Sequence, residues 1–207
     1  MKKNNKEIII EAAFLLALKN GFNNVSIKKI QEVSGFSAGS IYYHFKDKDE
    51  ILFHMINVYL VDNFNKYRET VIKSNDPFIE KIESIFCYLL GFNKKELNPY
   101  HSSTLSELNY RRYFGLFSSI FHQHPETRPL FYKLHADSFN FYQKLVEEAI
   151  ENNEIKEGWD VKSLTIFIHS VLKGYLDLAV FHPALSIEEI MNVNLKAIKE
   201  ITKKIIN

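Results

Sequence analysis

The chain of 207 residues is long enough for one large domain, or for a small domain joined to a larger one. Apolar residues make up 46% of it and charged residues 25%, which excludes a disordered chain and predicts a packed globular fold. The formal net charge is only +1, so a nucleic-acid partner would need a local basic patch rather than a basic average.

The first predicted elements are short helices with clear ends. Apolar residues recur at spacings of three and four over residues 6–19, which predicts a first helix, and Gly21 supplies its stop. Ser26 caps a second helix that ends at Gly35 after about two turns. Ser37 then caps a third short helix. The chain therefore begins with three helices joined by tight turns.

A longer helix follows. Asp47 is its expected N-cap, and apolar positions at helical spacing continue to Phe64. No segment shows the alternation of a strand, so we predict an all-α fold. Further helical patterns, bounded by proline, serine, asparagine or glycine signals, cover residues 77–92, 102–122, 125–152, 160–181 and 186–206.

Residues 25–52 have the sequence form of a helix-turn-helix, because two short capped helices are separated by a glycine turn. The caps Ser26 and Ser37 mark helix starts, where the helix dipole favours a phosphate. Residues 1–48 carry eight lysines against four acids, a local excess of +4 that suits such a partner. The expected core residues of this unit are Phe14, Phe22, Ile27, Ile30, Val33, Phe36, Ile41 and Phe45.

The spacing of this segment closely resembles that of the TetR family of repressors. The residues that carry the resemblance are Ser26, Ile30, Gly35, Phe36, Ser37, Gly39, Ile41, Tyr42, His44, Phe45, Lys48 and Leu52. Beyond residue 60 the chain resembles the family in length, helix count and a final pair of apolar helices. The resemblance implies a sequence-specific DNA-binding transcription regulator, a repressor that a small hydrophobic ligand releases from a palindromic operator.

By this resemblance the helix after Ser37 enters the major groove. The residues implied near base edges are Ala38, Gly39, Ser40 and Tyr43, and those implied at phosphates are Ser26, Ser37, Tyr42, His44 and Lys48. This helix offers no Arg, Gln or Asn for bidentate base reading, so we expect Lys28 to reach a base or phosphate, with Lys29 as the competing choice. Two alternatives stay open: Tyr42 as mainly a core residue, and His44 as a surface residue.

Residues 160–181 are apolar around nearly the whole helix, so this helix must be buried on two sides. One side can meet its own domain and the other a twofold partner, in a four-helix bundle with residues 125–152. The resemblance agrees, since it implies a homodimer on a DNA palindrome; a helix buried within a monomer is the alternative. We divide the chain into a helix-turn-helix DNA-binding domain, residues 1–46, and a helical regulatory, ligand-binding and dimerisation domain, residues 47–207.

Aromatic residues cluster in the middle of the chain and could line the apolar pocket that the family implies. The candidate ligand-binding residues are Tyr88, Phe92, Tyr113, Phe117, Phe121, Phe139, Tyr142, Phe167 and Tyr175. For each of them the alternative is an ordinary core position. His135, His169 and Asp177 are candidate polar groups of the same domain.

Motifs for other classes of function are missing from the sequence. It has no glycine-rich phosphate loop, no HExxH zinc motif and no nucleophile elbow, so we expect no enzyme, no metal and no cofactor. His122 and His124 diverge on a helix, which makes them a poor metal pair. The single Cys87 and the absence of a signal-peptide layout predict a cytoplasmic protein with no membrane partner. A small-molecule enzyme and a helical protein-interaction module without DNA binding remain as alternatives.

Overall fold

The computed structural model describes residues 4–89, 110–156, 158–182 and 184–203. Within these ranges the chain is helical without a strand, which confirms the predicted all-α class. The helices are α1 (Asn5–Asn20), α2 (Ile27–Ser34), α3 (Ala38–His44), α4 (Lys48–Ile56), α5 (Asn63–Lys73), α6 (Phe78–Leu89), α7 (Tyr110–Gln123), α8 (Arg128–Glu151), α9 (Val161–Phe181) and α10 (Ile187–Thr202), with 3-10 turns at Phe22–Asn24 and Pro125–Thr127 and a π-helical segment at Asn57–Asp62.

Local hydrogen bonds explain where the first helices begin and end. Before α1, the Asn4 side chain accepts from the Glu7 N–H at 2.9 Å, and the Glu7 carboxylate accepts from the Asn4 N–H at 3.0 Å. The helix ends at Gly21, whose φ is 78°. Gly35 ends α2 in the left-handed region with φ 76°, and its N–H donates to the Gln31 carbonyl. Both predicted glycine stops are confirmed.

Gly35→Ala should lower the free energy of unfolding by about 1–2 kcal/mol, because a residue with a Cβ pays that much in the left-handed region. An added Cβ meets no atom within 4 Å, so the cost is conformational and not steric. Urea unfolding followed by circular dichroism measures it. The matched control is Gly115→Ala within α7, which also meets nothing within 4 Å and should stabilise the protein slightly. Equal stability of Gly35→Ala and the parent would contradict the argument.

We call α1, α2 and α3 together the reader. Its interior is apolar and tightly enclosed: the buried residues include Phe14, Phe22, Ile30, Ile41 and Phe45. Ile27 and Phe36 are half-buried. The prediction that Val33 belongs to this core is wrong, because its side chain is 52% exposed. The buried side of α2 runs through Ile30 and the half-buried Ser34, which leaves Val33 on the flank that faces solvent.

The long helix predicted from Asp47 is present but not regular. Asp47 caps it by accepting from the Glu50 N–H at 2.9 Å. The helix then passes through the π-helical segment Asn57–Asp62 and continues to Lys73. Two side-chain amides hydrogen-bond to backbone carbonyls along this stretch: Asn57 donates to the Phe53 carbonyl at 2.9 Å, and Asn63 donates to the Tyr59 carbonyl at 3.0 Å. Such π segments often lie at functional positions of helices.

The later helices begin close to the predicted residues. Ser186 caps α10 by accepting from the Glu189 N–H at 3.1 Å. Pro125 starts a 3-10 turn, so α8 itself begins only at Arg128. The predicted helix at 102–122 overlaps α7, and its first part lies outside the described residues.

The chain separates into two compact units. The first contains Met1–Lys66 and Arg111–Tyr132, and the second contains Tyr67–Tyr110 and Lys133–Asn207. The reader thus shares a unit with α4 and most of α7. These units describe how compactly the chain packs and not which part has which function. The functional boundary after residue 46 stays a prediction.

The second unit packs α6, most of α8, α9 and α10 around buried apolar side chains such as Phe86, Val146 and Leu172. Two hydrogen bonds join the connection between α8 and α9 to other helices of this unit. The Glu154 carboxylate accepts from the Phe78 N–H at 2.6 Å, and the Trp159 indole donates to the Ile201 carbonyl at 3.1 Å. Among the described helices, α9 alone is long and apolar enough to cross a membrane. In its most apolar stretch, 33% of the residues are buried inside the protein. A core helix passes the same test, so this is weak evidence of a span.

Candidate DNA-binding site

Two serine caps position the helices of the reader that the sequence assigns to DNA. The Ser26 hydroxyl accepts from the Lys29 N–H at 3.3 Å at the start of α2. The Ser37 hydroxyl accepts from the Ser40 N–H at 3.2 Å at the start of α3. Because each oxygen acts as an acceptor, each hydroxyl hydrogen stays available for donation to a phosphate.

Helix α3 has a buried side and an open side. Ile41 is fully buried, whereas Tyr42 is 55% exposed and Tyr43 is 85% exposed. Gly39 is exposed too, and the predicted base-contacting residues Ala38 and Ser40 beside it are half-buried. The exposed part of α3 therefore combines a small, closely approachable stretch of backbone with two tyrosine rings. The exposure of Tyr42 does not favour the alternative that it is a core residue.

His44 lies at the end of α3 and is half-buried. Its ring stands edge-on to the Tyr43 ring, with 5.1 Å between the centroids. This contact restricts how the exposed Tyr43 ring can turn. His44 thus acts as a support for Tyr43, whether or not it also reaches a phosphate.

The three lysines of the site differ in what they contact. The Lys29 ammonium donates to the Asn24 carbonyl at 2.9 Å. The Lys48 ammonium donates to the Val25 carbonyl at 3.3 Å and lies 4.9 Å over the Phe22 ring. Lys28 is exposed, and within the described part of the chain no partner holds its ammonium. Both competing lysines of α2 are exposed, and they differ in that a carbonyl holds the Lys29 ammonium.

Sequence reasoning missed a polar group that braces the reader against α4. The Lys6 ammonium donates to His54 Nε2 at 3.0 Å and lies 5.2 Å from the centre of the Phe45 ring. The His54 ring stands edge-on to the same phenylalanine at 5.6 Å. Burial and the nearby Lys6 charge lower the pKa of His54, which keeps the imidazole a neutral acceptor. No sequence signal connects Lys6 with a residue 48 positions away.

A second polar group joins the turn before α2 to the end of α7. The Asn23 amide donates to the Gln123 side chain at 2.6 Å, and Asn23 Oδ1 lies 2.9 Å from His124 Nε2. The other ring nitrogen of His124 lies 3.1 Å from the Glu126 carboxylate. Both nitrogens of this histidine are therefore engaged by protein groups. Among the residues that the structure describes, no group of metal-ligating side chains could hold an ion.

The predicted ligand residues fall in both units. In the first unit, the Tyr113 hydroxyl donates to the Tyr59 carbonyl, and the Tyr113 and Phe117 rings lie 6.3 and 6.5 Å from the Phe14 ring. The Phe121 ring packs edge-on against Phe131 at 5.5 Å. The remaining residues belong to the second unit, and these are Tyr88, Phe139, Tyr142, Phe167 and Tyr175. Phe92 lies outside the described residues. Their role in ligand binding stays a prediction.

Comparison with known proteins identifies the reader. Residues 9–55, which include every residue predicted to contact DNA, match the family described as bacterial regulatory proteins, tetR family. The HTH-type transcriptional regulator SAB2452 of Staphylococcus aureus is 30% identical over 129 residues, which cover 56% of this chain and 68% of that protein. The chain belongs to the TetR family. It is therefore a DNA-binding transcription regulator, as predicted, and the alternative of a helical module without DNA binding is set aside.

The similarity to TetR-family proteins extends beyond the reader. The fatty acid metabolism regulator protein of Bacillus subtilis is 26% identical over 158 residues, which cover 74% of this chain and 72% of that protein. A transcriptional regulator of Saccharomonospora viridis solved with choline has a TM-score of 0.72 at 16% identity, covering 94% of this chain and 95% of its own. FadR of Bacillus subtilis solved with stearoyl-CoA has a TM-score of 0.58 at 19% identity, covering 96% and 98%. These structures share the fold.

Proposed function

We propose that this TetR-family regulator is a homodimeric repressor that a fatty acyl compound releases from a palindromic operator. The observation that carries the proposal is the similarity to a fatty acid metabolism regulator, which covers 74% of this chain and so reaches well past the reader. The ligand class would be set in the second unit, where the interior is apolar and aromatic. Such a lining suits a long hydrocarbon chain.

The dimer is supported by the surface of α9. Its inner side is buried in the second unit, for example at Leu164 and Ile168. Its outer side exposes Ile166 by 48% and Phe181 by 67%, and the small Gly174 between them is exposed as well. Apolar residues beside a small one allow the close approach of a second helix, and a twofold partner offers the same surface in return. The predicted pairing through α8 and α9 rests on this surface.

The release step is supported by contacts inside the first unit. The Phe14 ring of α1 stacks on the Tyr59 ring of the π-helical segment, with centroids 3.7 Å apart. The Tyr113 hydroxyl of α7 donates to the Tyr59 carbonyl. A shift of α7 or of the long helix that begins at Lys48 would thus move α1, and with it the reader. Ligand binding would act by shifting the population between two such positions.

The test starts from operator sequences selected by the protein from random DNA. Fluorescence anisotropy should show one dimer on a palindrome, with affinity that falls steeply as salt rises. Stearoyl-CoA and stearate should each be titrated into the complex, with choline as the comparison, and sedimentation should give the oligomeric state of the free protein. We expect a dimer that acyl compounds release and choline does not. Release by choline alone, or operator affinity unchanged under saturating acyl compound, would contradict the proposed ligand.

A further inference from the structure

Two buried hydroxyls of the second unit lack hydrogen bonds. They belong to Tyr67 on α5 and Tyr175 on α9, and neither finds a partner among the residues that the structure describes, although both are shielded from solvent. Tyr175 is only 1% exposed as a whole. Buried polar groups are nearly always hydrogen-bonded, because leaving one unsatisfied costs much of its hydration energy. Two such hydroxyls in one unit therefore call for an explanation.

Both tyrosines pack against residues within one turn of α6. The Tyr67 ring stacks on the Tyr88 ring with centroids 3.7 Å apart, and the Tyr175 ring stands edge-on to the Phe86 ring at 4.6 Å. Cys87 lies between these two α6 residues in the sequence. Burial raises the pKa of both phenols. The two tyrosines with orphaned hydroxyls thus lie beside the same turn of α6.

A nearby tyrosine shows what an ordinary structural hydroxyl does here. Tyr110 donates to the Ala179 carbonyl of α9 at 2.9 Å. That carbonyl lies one helical turn beyond Tyr175, so the backbone of this helix can satisfy a phenol that points to it. Within the described part of the chain, the hydroxyls of Tyr67 and Tyr175 reach no such acceptor. Both remain protonated at neutral pH, so both are donors without an acceptor.

We propose that Tyr67 and Tyr175 donate hydrogen bonds to an acyl oxygen of the effector and so form the polar anchor of the effector site. This inference rests on the proposed function, since it names the residues that bind the ligand's polar end. Two neutral hydroxyls can orient an acceptor through hydrogen bonds, but they bring no positive charge to it. This suits the carbonyl oxygen of a thioester or of a carboxyl group. The surrounding rings would cover the adjoining hydrocarbon. Measuring the binding of stearate and of stearoyl-CoA separately distinguishes a free acid from a thioester as the effector.

The test uses Tyr67→Phe and Tyr175→Phe in the full-length protein, with two measurements on each. Without ligand, each variant should melt at the same temperature as the parent or higher, because an unsatisfied hydroxyl has been removed. Binding of stearoyl-CoA or stearate, measured by calorimetry, should weaken about tenfold for each lost hydrogen bond. Tyr110→Phe is the matched control, which should melt lower and bind the acyl compound as the parent does.

The possible outcomes separate this inference from the proposed function. Acyl compounds that bind the parent and both variants equally would overturn the anchor while leaving the ligand class intact. Variants that melt clearly lower than the parent without ligand would show that the hydroxyls serve the fold, which also overturns the anchor. A parent that binds neither acyl compound would overturn the ligand class and the anchor together.

Discussion

Tyr43→Ala is expected to weaken binding to the selected operator by about five- to 150-fold, the effect of losing one base contact worth about 1–3 kcal/mol. The residue is 85% exposed on α3, so its loss should leave the melting temperature unchanged. The small neighbours Gly39 and Ser40 offer little side-chain surface to replace it. Anisotropy titrations on the specific operator and on unrelated DNA measure the change in affinity and in specificity.

Lys28→Ala serves as the electrostatic comparison for Tyr43→Ala. A lysine at a phosphate should weaken binding to all sequences alike and reduce the slope of log K against log salt by about one. A lysine at a base should instead relax specificity at one position, so this variant distinguishes the two roles left open by the sequence. Tyr132→Ala is the control for removing an exposed ring, since this residue of α8 is 60% exposed and outside the reader. Operator affinity of Tyr43→Ala equal to that of the control would refute the role of Tyr43.

Glu148→Ala is expected to lower the free energy of unfolding by about 3 kcal/mol, because it leaves a buried ammonium without its partner. Lys81 of α6 is 4% exposed, and its Nζ lies 2.8 Å from Glu148 Oε1 of α8. The carboxylate side chain is 45% exposed, which places the expected loss at the lower end for a buried ion pair. Urea unfolding at constant protein concentration measures it, since a dimer's stability depends on concentration.

Lys81→Met is the informative counterpart of Glu148→Ala. It replaces the buried cation with an apolar chain of similar length, and the half-exposed carboxylate that remains can be hydrated. We therefore expect a change in the free energy of unfolding within about 1 kcal/mol. Equal and large losses in both variants would show that the ion pair itself, rather than the desolvated ammonium, carries the stability.

The reader was predictable from sequence because its geometry is local. Ser26 and Ser37 bond to backbone groups three residues away, and Gly35 bonds to a carbonyl four residues back. Such contacts depend on the identity of residues within one helical turn, which periodicity and capping rules describe directly. The same rules placed Asp47 at the start of α4, where the structure has it.

Contacts between distant segments were beyond these rules. Val33 satisfies the apolar spacing of α2 and still faces solvent, because periodicity does not tell which flank of a short helix its neighbours cover. The bond between Asn23 and His124 joins residues 101 positions apart. Most of α7 also shares a compact unit with the reader, a grouping that local sequence rules do not address.

Local sequence was therefore enough for the class of fold and the helix-turn-helix, since caps and turns involve neighbours in the chain, while the residues assigned to DNA stay a prediction. Only the three-dimensional packing showed which polar side chains form hydrogen bonds. Among the described residues it binds the Lys48 ammonium to the Val25 carbonyl and gives no partner to the Lys28 ammonium or to the hydroxyls of Tyr67 and Tyr175. Whether a polar group finds a partner depends on residues that only folding brings near it.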